Sequence, residues 1–118
     1  IILRGGRDLT NYDNESISKV IKKLESEKLP SAVVIDCSHG NSRKNPKNQE
    51  EVLKNILEQR LRGNVNIVGA MLESYLNEGS QKIPDDLSVL KKGVSVTDSC
   101  LSWEDTERML LEAGKILS

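Results

Sequence analysis

The sequence predicts an α/β fold built around a parallel sheet. Three observations carry this. Short apolar, β-branched runs alternate with amphipathic helical stretches. The runs end near residues 4, 39, 73 and 98, at steps of 35, 34 and 25. A residue capable of chemistry stands at each of those ends. Strands that alternate with helices at such steps make parallel sheets with right-handed crossovers. The predicted order is β-α-β-α-β-loop-β-α, a single segment over residues 1–118.

The elements follow in turn. "IILR" is a short apolar run closed by Gly5-Gly6, a strand ending in a turn. From Asn14, the residues Ile17, Val20, Ile21 and Leu24 fall at i, i+3, i+4 and i+7, an amphipathic helix that Pro30 stops. "AVVID" is a second strand, polar only at its end, as expected of a strand buried on both faces. "NSRKN" is a loop. Asn45-Pro46 opens a second helix, with asparagine as cap and proline in the first position. Val52, Leu53, Ile56 and Leu57 form its apolar face, and Gly63 ends it.

"NIVGAML", residues 66–72, is a third strand that delivers Glu73. "SYLNEGSQKIPDDLSVLKKG" loses the rhythm and reads as a long loop with one turn near Leu87 to Leu90, the usual form of a functional lid. "GVSVTD" is a fourth strand, ending at Asp98. Ser102 caps a last helix, with Asp105 three residues on. Trp103, Thr106, Met109, Leu110, Ala113 and Leu117 are its expected buried stripe, Trp103 as a packing residue.

Composition excludes several classes. Charged residues are 30% and the net charge is −1, so no broad basic field exists for nucleic acid or anionic membrane. No apolar stretch approaches the roughly 20 residues that span a bilayer. Cys37 and Cys100 are the only cysteines and lie far from a CxxC spacing, which reads as two reduced thiols in a cytoplasmic protein. The chain opens on Ile1, already strand-like, rather than on a loose polar terminus with Met. It is therefore expected to be a piece of a longer protein.

The strand ends are Arg4, His39, Glu73 and Asp98. In parallel α/β folds, chemistry gathers at the C-terminal rim of the strands. An imidazole and two carboxylates form a plausible set for Mn²⁺, Fe²⁺, Co²⁺ or Zn²⁺. Arg4 beside Gly5-Gly6 suits a phosphate, the guanidinium in bidentate contact and the glycines letting backbone N–H groups approach. Asp36 is a second candidate ligand, and Cys37 another, since it shares a face with His39 if the strand continues. Arg43 and Lys44, just past His39, could reach an anion over the rim, although a solvated loop is their ordinary role. "KKLESEK" and "EDTERMLLEAGK" read as solvated helix surfaces.

"IILRGG", "NYD", "IDCSHGNSRK", "VGAMLESYLNEGSQ" and "VSVTDSCLSWEDT" stand in order along the chain. Together they resemble the C-terminal half of the microbial type I 3-deoxy-D-arabino-heptulosonate 7-phosphate (DAHP) synthases, over essentially the whole length. The resemblance implies a fold: strands five to eight of a (β/α)8 TIM barrel. It implies an activity, the first step of the shikimate pathway to aromatic amino acids. That step is an aldol-type condensation of phosphoenolpyruvate with erythrose 4-phosphate that releases phosphate, with a divalent ion polarising the aldehyde oxygen. It makes His39 of "SHGNS", Glu73 of "MLES" and Asp98 of "VTDSC" metal ligands, and Arg4 of "LRGG" a contact to phosphoenolpyruvate. Asp36 and Cys37 receive no ligand role.

The same resemblance defines what is absent. The family's fourth metal ligand is a cysteine on an early strand, outside these residues. So are the lysine and arginines that complete the phosphoenolpyruvate site, the "KPRTS"-like segment for erythrose 4-phosphate, and the extension tied to feedback inhibition. Cys100 lies past Asp98 and cannot simply replace the missing ligand. The segment alone is expected to be inactive. A (β/α)8 barrel runs about 250 residues, so this is near half of one. Its open edges and apolar face predict a homo-oligomer, or docking beside the missing half. The competing readings are a non-catalytic half-barrel that binds phosphate or regulates a partner, and a different metal-dependent barrel enzyme, a lyase or hydrolase.

Overall fold

Strand β1 is Ile2–Leu3, β2 is Val33–Asp36 and β3 is Ile67–Met71. They lie in the order β1-β2-β3, all parallel, in a computed structural model that describes residues 1–7 and 9–118. Ile2 pairs with Val34 and Leu3 with Ile35. Val34 pairs in turn with Gly69, and Ile35 with Ala70. A register shift between Val33 and Val34 bends the second ladder.

Helix α1, Asn14–Ser26, begins at Asp13, whose carboxylate accepts from the Ser16 N–H (2.9 Å) and hydroxyl (2.6 Å). These bonds hold the Asp13 carboxyl below its ordinary range. The helix ends before Pro30. Lys28 turns left-handed (φ 57°), and Leu29 N–H returns to Leu24 O at 2.9 Å. Asn45 and Pro46 open the next helix through i→i+3 bonds, and the Asn45 side chain accepts from Lys47 N–H at 3.1 Å. Regular α2 then runs Asn48–Leu61 and closes on Gly63 (φ 101°).

Ile17, Ile21 and Leu24 of α1 share one core with Leu3, Val33, Ile35, Ile67, and Val52, Leu53 and Ile56 of α2. The long loop carries a single 3₁₀ turn at Leu87–Val89, as expected. Helix α3, Trp103–Leu117, starts at Ser102, which accepts from Asp105 N–H at 3.1 Å. It packs against α2, tied by Arg108 to Glu50 at 2.8 Å.

Two expectations fail. Residues 93–98 form no strand of the sheet. Ser95 makes only an isolated bridge to Ser80, while Gly79 and Ser74 bridge Cys100 and Leu101. A strand needs a pleated neighbour to lie on. Here the 74–81 segment takes the bridges, so nothing extends β3 into a fourth ladder. The stripe of α3 is also narrower than predicted. Thr106 and Met109 are buried, but Trp103 is 54% exposed and Leu110 and Leu117 are exposed too. Among the described residues nothing covers that side of the helix.

The chain exposes 7980 Å². A folded monomer of 13.1 kDa is expected to expose about 6,400 Å². Its radius of gyration, 16.2 Å, also exceeds the roughly 13.5 Å of a closed domain this long. The excess coincides with exposed Ile2, Val68 and Met71 on the sheet, and with Trp103, Leu110 and Leu111 on α3. Among the described residues no helix is long and apolar enough to cross a membrane.

Candidate metal centre

The connections after the strands converge on one cleft. Arg4 follows β1 directly, His39 stands three residues past β2, and Glu73 two past β3. Asp98 arrives on the bridge-held segment instead of a strand end. One donor atom from each of His39, Glu73 and Asp98 lies within 4.8 Å of the other two. His39 Nε2 is 3.3 Å from Glu73 Oε1 and 3.6 Å from Asp98 Oδ2. Glu73 is 29% exposed and Asp98 61%.

Local structure aims the imidazole. His39 sits in the left-handed region (φ 47°), which turns the chain back so that Ser42 N–H reaches Ser38 O at 3.1 Å. Its Nδ1 faces Asp36 Oδ2 at 2.8 Å. Asp36 Oδ1 accepts from Ser38 N–H (2.9 Å) and from the Ser38 hydroxyl (2.6 Å). Asp36 is therefore a buried carboxylate with its acceptors engaged, and the Nδ1 proton of His39 is its natural donor. That tautomer leaves a lone pair on Nε2, the ring atom 3.3 Å from Glu73 and 3.6 Å from Asp98. Three lone-pair donors this close repel one another until a cation sits among them. The donor set and its spacing fit a divalent ion.

Asp36 is thus a functional candidate whose role sequence reasoning missed. It is an orienting residue rather than a ligand. Cys37 belongs to the core, and burial pushes its thiol up to about 12, which makes it inert. Cys100 is partly buried and its thiol is also raised, again mainly by burial.

The cleft encloses about 810 Å³ and is lined by Arg4, Arg7, Arg43 and Lys44 as well as by the three candidate ligands. The glycines beside Arg4 do something other than expected. Gly5 N–H is taken by Asn11 Oδ1 (2.7 Å) and Gly6 N–H by Leu9 O (2.7 Å), so neither is presented to an anion. Gly5 instead allows two loops to cross. At φ 74°, a Cβ on it would stand 2.7 Å from Asn41 N and from the Gly40 carbonyl carbon. Buried Asn41 locks the crossing. It donates to Leu3 O (3.1 Å) and Asp36 O (2.9 Å), and accepts from Asn11 N–H (2.8 Å). Arg4 and His39 are held on one rim by that asparagine.

A cleft on the rim of a parallel sheet, lined both by a cluster of cation-seeking donors and by guanidinium groups, defines an α/β protein with a site for anionic groups and a divalent ion. A sequence model described as "DAHP synthetase I family" matches residues 1–111, and the chain belongs to that family. It is 53% identical over 113 residues to the tyrosine-inhibited phospho-2-dehydro-3-deoxyheptonate aldolase of Schizosaccharomyces pombe, covering 93% of this chain and 30% of that one. It is 47% identical over 116 residues to the phenylalanine-inhibited enzyme of that name from Saccharomyces cerevisiae, covering 93% and 31%. The solved structure of a phospho-2-dehydro-3-deoxyheptonate aldolase from Francisella tularensis SCHU S4 superposes with a TM-score of 0.89 at 40% identity, over 98% of this chain and 33% of that one. The chain spans about a third of the length of each of these relatives.

Proposed function

We propose that this chain is the C-terminal half-barrel, strands five to eight, of a DAHP synthase. The whole protein would condense phosphoenolpyruvate with erythrose 4-phosphate and release phosphate. The observation that carries this reading is the convergence of His39, Glu73 and Asp98 within 4.8 Å, in a cleft that Arg4 also lines. Long crossovers and the exposed apolar residues on the sheet and on α3 support the half-barrel. Residues 93–98 would become its eighth strand once a neighbour stands beside them.

When bound, the ion, of the Mn, Fe, Co or Zn class, supplies Lewis-acid polarisation of the aldehyde oxygen. The chain's own residues do the rest. His39 presents Nε2 because Asp36 holds the proton at Nδ1. Glu73 and Asp98 place two negative charges opposite a dication, and either can take a proton at the rim. Arg4 neutralises the phosphate or carboxylate of phosphoenolpyruvate and fixes its orientation. The exposed strips on the sheet and α3 are covered by the rest of the barrel and by a second copy, giving a homo-oligomer. The two free thiols suit a reducing, cytoplasmic setting.

The test is phosphate release from phosphoenolpyruvate by the full-length protein, with Mn²⁺ and erythrose 4-phosphate. Activity lost in His39→Ala, and absent from residues 1–118 alone, supports the reading. A full-length protein that rejects erythrose 4-phosphate but accepts another aldehyde would sink it. So would one that binds phosphate without turnover.

A further inference from the structure

We propose that Gln49 is a positioning residue for Glu73, setting the metal affinity of the centre through the backbone it grips. The proposal rests on the reading of His39, Glu73 and Asp98 as metal ligands. Gln49 lies in the first turn of α2 and is completely buried, although it carries a primary amide. Its side chain reaches one residue, 24 positions away. Oε1 accepts from Glu73 N–H at 2.8 Å, and Nε2 donates to Glu73 O at 3.1 Å. β3 has ended at Met71, so no ladder partner on β2 reaches Glu73. The glutamine amide copies the donor and acceptor of a neighbouring strand and fixes the backbone two residues beyond the end of β3. Leu101 N–H adds a bond to the same carbonyl at 3.0 Å.

A methionine or leucine would fill that core position without burying polar atoms. The amide is placed instead where the gripped residue bears a candidate ligand. Its carboxylate stands 3.3 Å from His39 Nε2, and ligand sites lose function when their support lets them drift by about 1 Å. The grip also links the centre to α3, because Glu50, the next residue, holds Arg108.

The experiment is calorimetric titration of Mn²⁺ into the full-length protein and four variants: Gln49→Met, Gln49→Asn, Val52→Ala and Glu73→Ala. Gln49→Met keeps the volume and removes both bonds. Gln49→Asn keeps the amide but falls one methylene short, and serves if the methionine variant does not fold. Val52 is buried on the same helix and does not line the cleft, so Val52→Ala reports loss of stability alone. The expected result is Mn²⁺ binding weakened about 10–100-fold in the Gln49 variants and by less than about twofold in Val52→Ala, whatever their melting temperatures. Unchanged binding in a folded Gln49 variant, with Glu73→Ala weakened, overturns the positioning role and leaves the metal centre standing. Unchanged binding in Glu73→Ala overturns both.

Discussion

Replacing Asp36 with asparagine tests the centre with almost no change in shape. Asp36 Oδ1 takes two bonds from Ser38, at 2.9 and 2.6 Å, and Oδ2 takes the His39 Nδ1 proton at 2.8 Å. An asparagine has one oxygen for these three donors. Turned to Ser38, the oxygen keeps two bonds, and the amide NH₂ then faces Nδ1. The imidazole must answer with a lone pair there, so its proton moves to Nε2 and blocks the atom that faces Glu73 and Asp98. Turned the other way, the NH₂ meets the Ser38 N–H, leaving a buried donor unpaired at about 1–3 kcal/mol, and the Ser38 hydroxyl must rotate to accept. The first arrangement wins. Metal affinity should fall about 10–100-fold, or about 1.4–2.7 kcal/mol at 1.36 kcal/mol per decade. The assay is Mn²⁺ titration of the full-length protein, with ¹⁵N-histidine NMR of its metal-free form to read the tautomer of His39. A variant that keeps the proton on Nδ1 and binds Mn²⁺ as before would refute the reasoning.

Three further outcomes are expected. Gly5→Ala should destabilise the fold by about 2 kcal/mol or more in urea unfolding, because φ 74° alone costs roughly 1–2 kcal/mol and the new Cβ meets Asn41 backbone at 2.7 Å; a loss below about 0.5 kcal/mol would mean that the loops do not cross so tightly. Glu50 is held down to about 2, first by its bond to Arg108 and then by Lys54. A depressed carboxyl stabilises the fold above its unfolded value, near 4.5, and loses that contribution as pH falls towards 2. Glu50→Gln should therefore lower Tm by about 2–4 °C at pH 7, discounted for solvent screening, and the difference should vanish near pH 2; a constant difference across pH would contradict the assignment. In Ellman titration of residues 1–118 at pH 8, Cys100 should react and Cys37 should stay silent until denaturant is added. Equal rates would mean that the core is open.

Much of this molecule was readable before folding. The periods of α1 and α2, the proline and glycine stops, and the Ser102 cap are local signals, and each placed its element within a few residues. Arg4, His39 and Glu73 were legible because a parallel sheet sends its strand ends to one rim, whereas Asp98 reaches the same cleft from a segment that is not a strand. Two things were hidden. The "GVSVTD" run has strand composition, but a strand depends on neighbours, and among the described residues none extends the sheet to it. Trp103 and Leu110 looked like core for the same reason: a stripe announces burial without saying against what. The helpers of the site were hidden differently. Asp36, Asn41 and Gln49 act through contacts with backbone or with a turned imidazole, and no spacing rule reports such contacts.

The three candidate ligands sit on three separate connections, 34 and 25 residues apart along the chain. An ion held between them would be a staple as well as a reagent. It would close two long loops at a single point and fasten the one connection, around Asp98, that no ladder secures. Stabilisation of this kind depends on supply: an ion at 100 times its dissociation constant adds about 2.7 kcal/mol to folding. A chelator would then act on this protein much as a reductant acts on a disulfide-bonded one, with the Asp98 segment loosening first and the catalytic rim losing its shape along with its charge.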